Sequence, residues 1–234
     1  FIYLEDVLYY VYCQPKCPPH MYGCPTVVGW WDKSGSSADS QPVKNAYEFF
    51  ALVRSIWDRS GSCHMFKSRL AKLLTSAPLC TTAIPVTKVV GFGLGDFSTT
   101  ASEKWLKENM DYMEEIEQDL DYPERTPELE VKGLCTHHAM ALTMASVVET
   151  IQKKQHGAQR GRHIKLLTQE PAYTPAMETM LKEIGNFDIV GKYGASGFAE
   201  LDDNCIVFAP FVNAPVKQIM ADLSRPAIII CNQI

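Results

Sequence analysis

Apolar residues recur three and four apart between residues 42 and 58, where Ala46, Phe49, Phe50, Val53, Ile56 and Trp57 would share one face of a helix. Ser60-Gly61 closes that segment, and a second helix follows with Phe66, Leu70, Leu73 and Leu74 turned inward. The period then changes. Residues 86–92 form a short apolar run that reads as a buried strand, and the runs at 163–168, 188–190, 205–208 and 227–231 read the same way. Helices separate them. Residues 136–154 carry Met140, Met144, Val147 and Ile151 at spacings of four, three and four, with Lys153, Lys154 and His156 at the negative end of the helix dipole. Thr174-Pro175 supplies an N-cap and a first helical residue, Met177, Met180, Leu181 and Ile184 the buried face, and Gly185 the stop. A last helix spans 214–223. Strands alternating with helices predict an α/β fold, a Rossmann-like and mostly parallel sheet with helices on both faces.

Two stretches fall outside this alternation and divide the chain. Residues 1–40 are rich in Pro, Gly, Ser and Cys and read as an irregular N-terminal extension, docked through aromatics such as Trp30 and Trp31, ahead of an α/β domain at 41–234. Residues 103–133 read as an acidic insertion. Within it, 103–130 hold eleven acids against Lys104, Lys107 and Arg125, which gives either a solvated helix or a surface for a protein partner.

Composition narrows the classes. A chain of 234 residues, 46% hydrophobic, can bury a full core, and a net charge of −5 with a pI near 5.7 offers no general pull toward nucleic acid or an anionic membrane. The apolar opening at 1–11 contains Glu5 and Asp6, lacks a basic leader and is too short to span a bilayer, so neither a signal peptide nor a membrane anchor is expected. A start at Phe1 rather than Met, and an end just after Ile228-Ile229-Ile230, read as the bounds of an excised domain. The eight cysteines are dispersed and no Asn-x-Ser/Thr sequon occurs, which fits reduced thiols and an intracellular setting, cytoplasm or nucleus.

The chemistry concentrates at the end of the first buried strand. Val89-Val90 leads into Gly91-Phe92-Gly93-Leu94-Gly95-Asp96-Phe97-Ser98, three glycines at alternate positions followed by small polar residues. Such a turn lets the backbone reverse tightly and present N–H groups at a sheet's carboxyl edge. The spacing is that of the first loop of S-adenosylmethionine-dependent methyltransferases; the third glycine of a dinucleotide fingerprint is replaced by Asp96, and no P-loop lysine follows. Glu170 stands at the end of the second predicted strand of the sheet, where an acid accepts hydrogen bonds from a ribose. Gly91, Gly93, Gly95, Asp96, Ser98 and Glu170 are therefore the candidate cofactor-binding residues, for S-adenosylmethionine or a nucleotide. His137-His138, at the start of the predicted helix, reads as structural before it reads as a base. No Gly-x-Ser-x-Gly or His-Glu-x-x-His signature supports a common hydrolase route.

Over residues 45–234 the order of these pieces resembles the sensitivity-to-red-light-reduced family, which shares the SRR-like domain. The glycine strand-loop at 89–98, the helix opening Thr136-His137-His138-Ala139-Met140, the pair Glu170-Pro171 ahead of Leu181 and Gly185, Phe208-Ala209-Pro210-Phe211, and Cys231-Asn232 carry the resemblance. It departs from the family in having Glu170-Pro171 for an Asp-Pro pair and Phe211-Val212 for a His-Cys pair. The resemblance implies an intracellular regulatory protein, in a family linked to light signalling and circadian timing in plants and to stress, cytoskeletal and heme-related phenotypes elsewhere. It implies no settled reaction.

Three expectations result. The first is a regulatory protein acting through protein contacts, with residues 103–130 as partner surface and a small ligand sensed at the glycine loop. The second is a transferase using S-adenosylmethionine, with Gly91, Gly93 and Gly95 at the cofactor and Glu170 on its ribose. The third is a zinc or heme module built on Cys13, Cys17, His20 and Cys24, whose thiolates and imidazole suit zinc and whose Cys17-Pro18 and Cys24-Pro25 dipeptides suit heme iron.

Overall fold

A computed structural model of the chain describes residues 2–6, 26–30, 40–76, 85–101, 127–156, 163–191, 196–210 and 216–231. The zinc or heme candidates Cys13, Cys17, His20 and Cys24 lie outside the described residues, as do residues 103–126 of the acidic segment. Near the N-terminus, in the stretch read as irregular, β1 (Ile2–Asp6) and β2 (Thr26–Trp30) pair antiparallel, Ile2 opposite Trp30.

The short strand β3 (Ser40–Pro42) leads into α1 (Ala46–Arg59) and α2 (Gly61–Thr75). Ser60 makes the joint between these helices: its side chain accepts from the Cys63 N–H at 3.0 Å, capping α2. After β4 (Lys88–Phe92) comes β5 (Thr99–Ala101), which pairs antiparallel with β3, Ser40 opposite Ala101. The long helix α3 (Pro127–His156) follows. It begins nine residues before the predicted 136, with Pro127 as its first residue; a proline's fixed φ and missing N–H suit a first turn. The last seven residues of the stretch read as an acidic insertion, 127–133, belong to this helix.

Strand β6 (Lys165–Gln169), helix α4 (Pro175–Gly185), strand β7 (Asp188–Ile189), the single turn α5 (Ser196–Ala199), strand β8 (Cys205–Ala209), helix α6 (Val216–Leu223) and strand β9 (Ile228–Cys231) complete the described order. Thr174 caps α4 through Met177 N–H, as its sequence predicts, while the stop is Asn186 in the left-handed region (φ 53°) just past Gly185.

Five strands form one parallel sheet in the order β7-β6-β4-β8-β9, a Rossmann-like α/β arrangement. Strand residues alternate between two apolar layers. Val89, Leu166, Ile206, Phe208 and Ile228 pack with α3 and α4, whereas Val90, Phe92, Leu167, Val207 and Ala209 pack with Val216 and Met220 of α6 and with Phe198 of α5. Burial on both faces explains why these strands read as continuous apolar runs. Helices α1 and α2 form an outer layer on α3, joined to it by the Trp57 indole N–H, which donates to Thr143 Oγ1 at 3.0 Å. An outer layer is covered on one side only. Phe50, Val53 and Leu70 are accordingly buried, but Ile56 and Leu73, expected to face inward, are 44% and 50% exposed.

Candidate functional site

Beginning at β4, the chain builds outward through β6 to β7, then crosses to the other side for β8 and β9. In an open parallel sheet, ligands bind outside the carboxyl ends of the strands near such a reversal. The glycine loop starts there. The register Phe92 opposite Gln169 sets Gly93 beside the last residues of β6, and the loop turns with Gly93 at φ 66° and Gly95 at φ 81°, conformations that favour glycine. Gly91 serves differently: a Cβ there would lie 2.7 Å from Leu94 Cδ1, so the hydrogen makes room for the loop's own leucine.

Two of the loop's N–H groups are engaged by the neighbouring strand end. Gly93 N–H donates to the Gln169 carbonyl at 3.3 Å and Gly95 N–H to Glu170 Oε2 at 3.2 Å. The other carboxylate oxygen, Oε1, accepts from Ala172 N–H at 2.9 Å. Glu170, separated from Gly95 by 75 residues, thus stands against the glycine turn.

Asp96 and Ser98 tie the loop to α4. Asp96 Oδ1 accepts from the Ser98 N–H at 2.7 Å and from the Ser98 hydroxyl at 2.6 Å, and Oδ2 accepts from Thr174 N–H at 2.8 Å. Because the Ser98 proton goes to Asp96, the Thr174 hydroxyl donates to Ser98 Oγ across 3.0 Å. Both Asp96 and Ser98 are buried, and these bonds fix the loop and the first turn of α4 as one piece.

Helix α3 flanks the loop with its side rather than its end. Leu134 lies against Gly95, seven residues after the helix begins at Pro127, so α3 runs on about 10 Å past that contact. His137 is near the same turn: its Nδ1 is 3.4 Å from the Leu94 carbonyl, and its ring meets that of Phe208 edge-on at 6.3 Å. A carbonyl only accepts, so Nδ1 carries the proton, and burial lowers the His137 pKa toward a neutral imidazole. Comparison with protein-family models, curated proteins and solved structures finds no match to this chain.

Beneath the loop, His138 is fully buried within α3. Its Nδ1–H donates to the Leu134 carbonyl at 2.8 Å, which leaves Nε2 to accept from the Tyr173 hydroxyl at 2.9 Å. Thr168 must then donate to the Tyr173 oxygen across 3.0 Å. Desolvation holds His138 neutral, its pKa pushed down to about 3, and drives the Tyr173 phenol far upward. Both histidines sit well inside the helix rather than at its start, and His138 is a core residue.

All six residues proposed from sequence for the ligand lie at or beside this one edge of the sheet, on the end of β4, the loop after it and the residue after β6. Sequence reasoning missed Gln169, Thr174 and Leu134, which bind or cover the loop; aligning the ends of the two parallel strands would have found Gln169. Burial raises the thiol of Cys135 to about 12 and shifts Cys205 upward, which removes both as nucleophiles. Among the described residues, no three His, Cys, Asp or Glu side chains are grouped to hold a metal ion, and no helix is long and apolar enough to cross a membrane.

Proposed function

We propose that this chain is a regulatory domain of the SRR-like kind, acting through protein contacts and sensing a small molecule, S-adenosylmethionine or a nucleotide, at the carboxyl edge of β4 and β6. The observation that carries the reading is the Glu170 carboxylate 3.2 Å from the Gly95 amide. It pairs a glycine turn on the central strand with an acid on the adjacent strand, beside the reversal in strand order where parallel α/β sheets bind ligands. The acidic residues 103–130 are the partner surface in this reading, and the cytoplasm or nucleus its setting.

Thermal unfolding against S-adenosylmethionine, its demethylated product, NAD, NADP, ATP and hemin tests the ligand half. A ligand at 100 times its dissociation constant stabilises by about 2.7 kcal/mol, a rise in Tm of roughly 5–10 °C for a domain of this size. A shift with one nucleoside-bearing compound, lost in Glu170→Gln, is expected; no shift with any compound overturns the site. A shift with hemin alone moves attention to the Cys-Pro dipeptides at 17–18 and 24–25.

A second reading, a transferase using S-adenosylmethionine, is favoured by His137. The ring lies beside the loop, and burial favours its neutral form, the protonation state from which a general base works. Conversion of S-adenosylmethionine to its demethylated product, with loss of turnover but not of cofactor binding in His137→Asn, separates this reading from the regulatory one.

A further inference from the structure

We propose that Phe198, in the single turn α5, is the surface on which the ligand's base lies, and that the site takes purine nucleosides in preference to pyrimidine ones. The proposal rests on the ligand site proposed above and adds the part of it that meets the base. Phe92 is the last residue of β4 and leads directly into Gly93. Its buried ring stacks on that of Phe198, with centroids 4.8 Å apart and planes 22° from parallel. Phe198 itself is only half-buried. An aromatic side chain thus stays partly open to solvent one ring away from the start of the glycine turn.

The fold holds that ring in place from two directions. Gly197 N–H donates to Gln169 Oε1 at 2.9 Å, while the Gln169 main-chain carbonyl accepts from Gly93 N–H at 3.3 Å, so one residue at the end of β6 fastens both α5 and the glycine turn. Gly197 fits so closely that a Cβ there would overlap Gln169 Oε1 and lie 2.7 Å from Phe92 Cε1. The turn closes on itself as Glu200 N–H donates to the Gly197 carbonyl and Leu201 N–H to the Phe198 carbonyl, each at 3.2 Å. Phe198 packs in the apolar layer of α6, whereas Leu134, over Gly95, packs in the layer of α3. The carboxyl edge of β4 is therefore bounded by a leucine on one side of the sheet and by an aromatic ring on the other. Such a ring stacks on a base whatever hydrogen-bonding edge the base carries. Phe198 has no polar group to read that edge, so preference follows stacking area, and a bicyclic purine gains more than a pyrimidine.

The probes are adenosine, inosine and uridine, with dissociation constants taken from the concentration dependence of Tm for wild type, Phe198→Leu and Phe198→Tyr. Adenosine and inosine differ at the hydrogen-bonding edge but not in ring area. Wild type is expected to bind both about fivefold or more tightly than uridine. Phe198→Leu, which keeps an apolar side chain against Phe92 but loses the flat ring, is expected to bring that ratio below about twofold, and Phe198→Tyr to retain it. Uridine binding wild type as tightly as the purines, inosine binding as weakly as uridine, or a ratio unchanged in Phe198→Leu overturns the role of Phe198 while leaving the ligand site standing. Failure of all three probes on wild type overturns the site and the role of Phe198 with it. The wild-type comparison needs no substitution, so it stands even where a variant does not fold.

Discussion

Lowering the pH from 7 to 5 offers a proton to His138 in a place that cannot hold its charge. The imidazole is fully buried and edge-on to Phe97 and Phe187 at 5.0 and 5.9 Å; its two nitrogens are committed to Leu134 and Tyr173. Its pKa falls from 6.5 to about 3 in the fold. Between those two values the unfolded chain binds the proton and the folded chain does not, so stability is lost as pH falls through about 6.5 and continues to fall toward 3. At 1.36 kcal/mol per unit, the loss is about 2 kcal/mol at pH 5 and about 3 kcal/mol at pH 4. His137 shifts in the same direction and adds to the trend, so the comparison must isolate His138. His138→Leu removes the titrating ring, and the Tyr173 hydroxyl keeps Thr168 as partner. Urea denaturation of both proteins at pH 7, 6, 5 and 4 is the assay. The wild-type advantage over the variant is expected to shrink by about 2 kcal/mol between pH 7 and 5. Stability curves that run parallel across that range would show that His138 is protonated at no cost, and the buried hydrogen-bond chain would be wrongly assigned.

Other substitutions test the loop. Asp96→Asn keeps one acceptor oxygen but sets an NH₂ group against either the Ser98 donors or the Thr174 N–H, and is expected to cost about 2 kcal/mol in denaturant unfolding, with faster amide exchange at Ser98 or Thr174. Gly95→Ala places a methyl against Leu134 at a backbone angle of φ 81°, and a loss of about 2 kcal/mol is expected; an unchanged Tm would mean the loop turns otherwise. Thr174→Ala removes the cap of α4 and the hydroxyl that donates to Ser98, with about 1 kcal/mol lost in the same measurement.

The sequence shows the sheet and most of its helices because their burial is periodic and two-sided: Val89 and Val90 point to opposite layers, and both layers are apolar. It misplaces the start of α3 because a proline after an acidic run stops a helix as readily as it starts one, and only packing decides which Pro127 does. Ile56 and Leu73 look like core residues by spacing, yet periodicity cannot say that their helices lie in an outer layer over α3. At the site, the glycine loop and Glu170 were each legible, but their contact was not. It depends on the register that brings Gly93 beside Gln169 after 75 intervening residues, among them the whole of the 30-residue helix α3. The chain from His138 through Tyr173 to Thr168 has no local signal at all, since its members meet only when α3 packs on β6.

Backbone amide resonances can locate a small molecule bound at the turn between β4 and Glu170. In a ¹⁵N titration with S-adenosylmethionine, followed by adenosine, the Gly93 and Gly95 amides are expected to move with ligand concentration. Gly61, which opens α2 in the outer layer, is expected to stay in place. Stationary Gly93 and Gly95 signals under saturating amounts of both compounds, or shifts confined to residues elsewhere, would contradict binding there and leave the glycine turn a purely structural one.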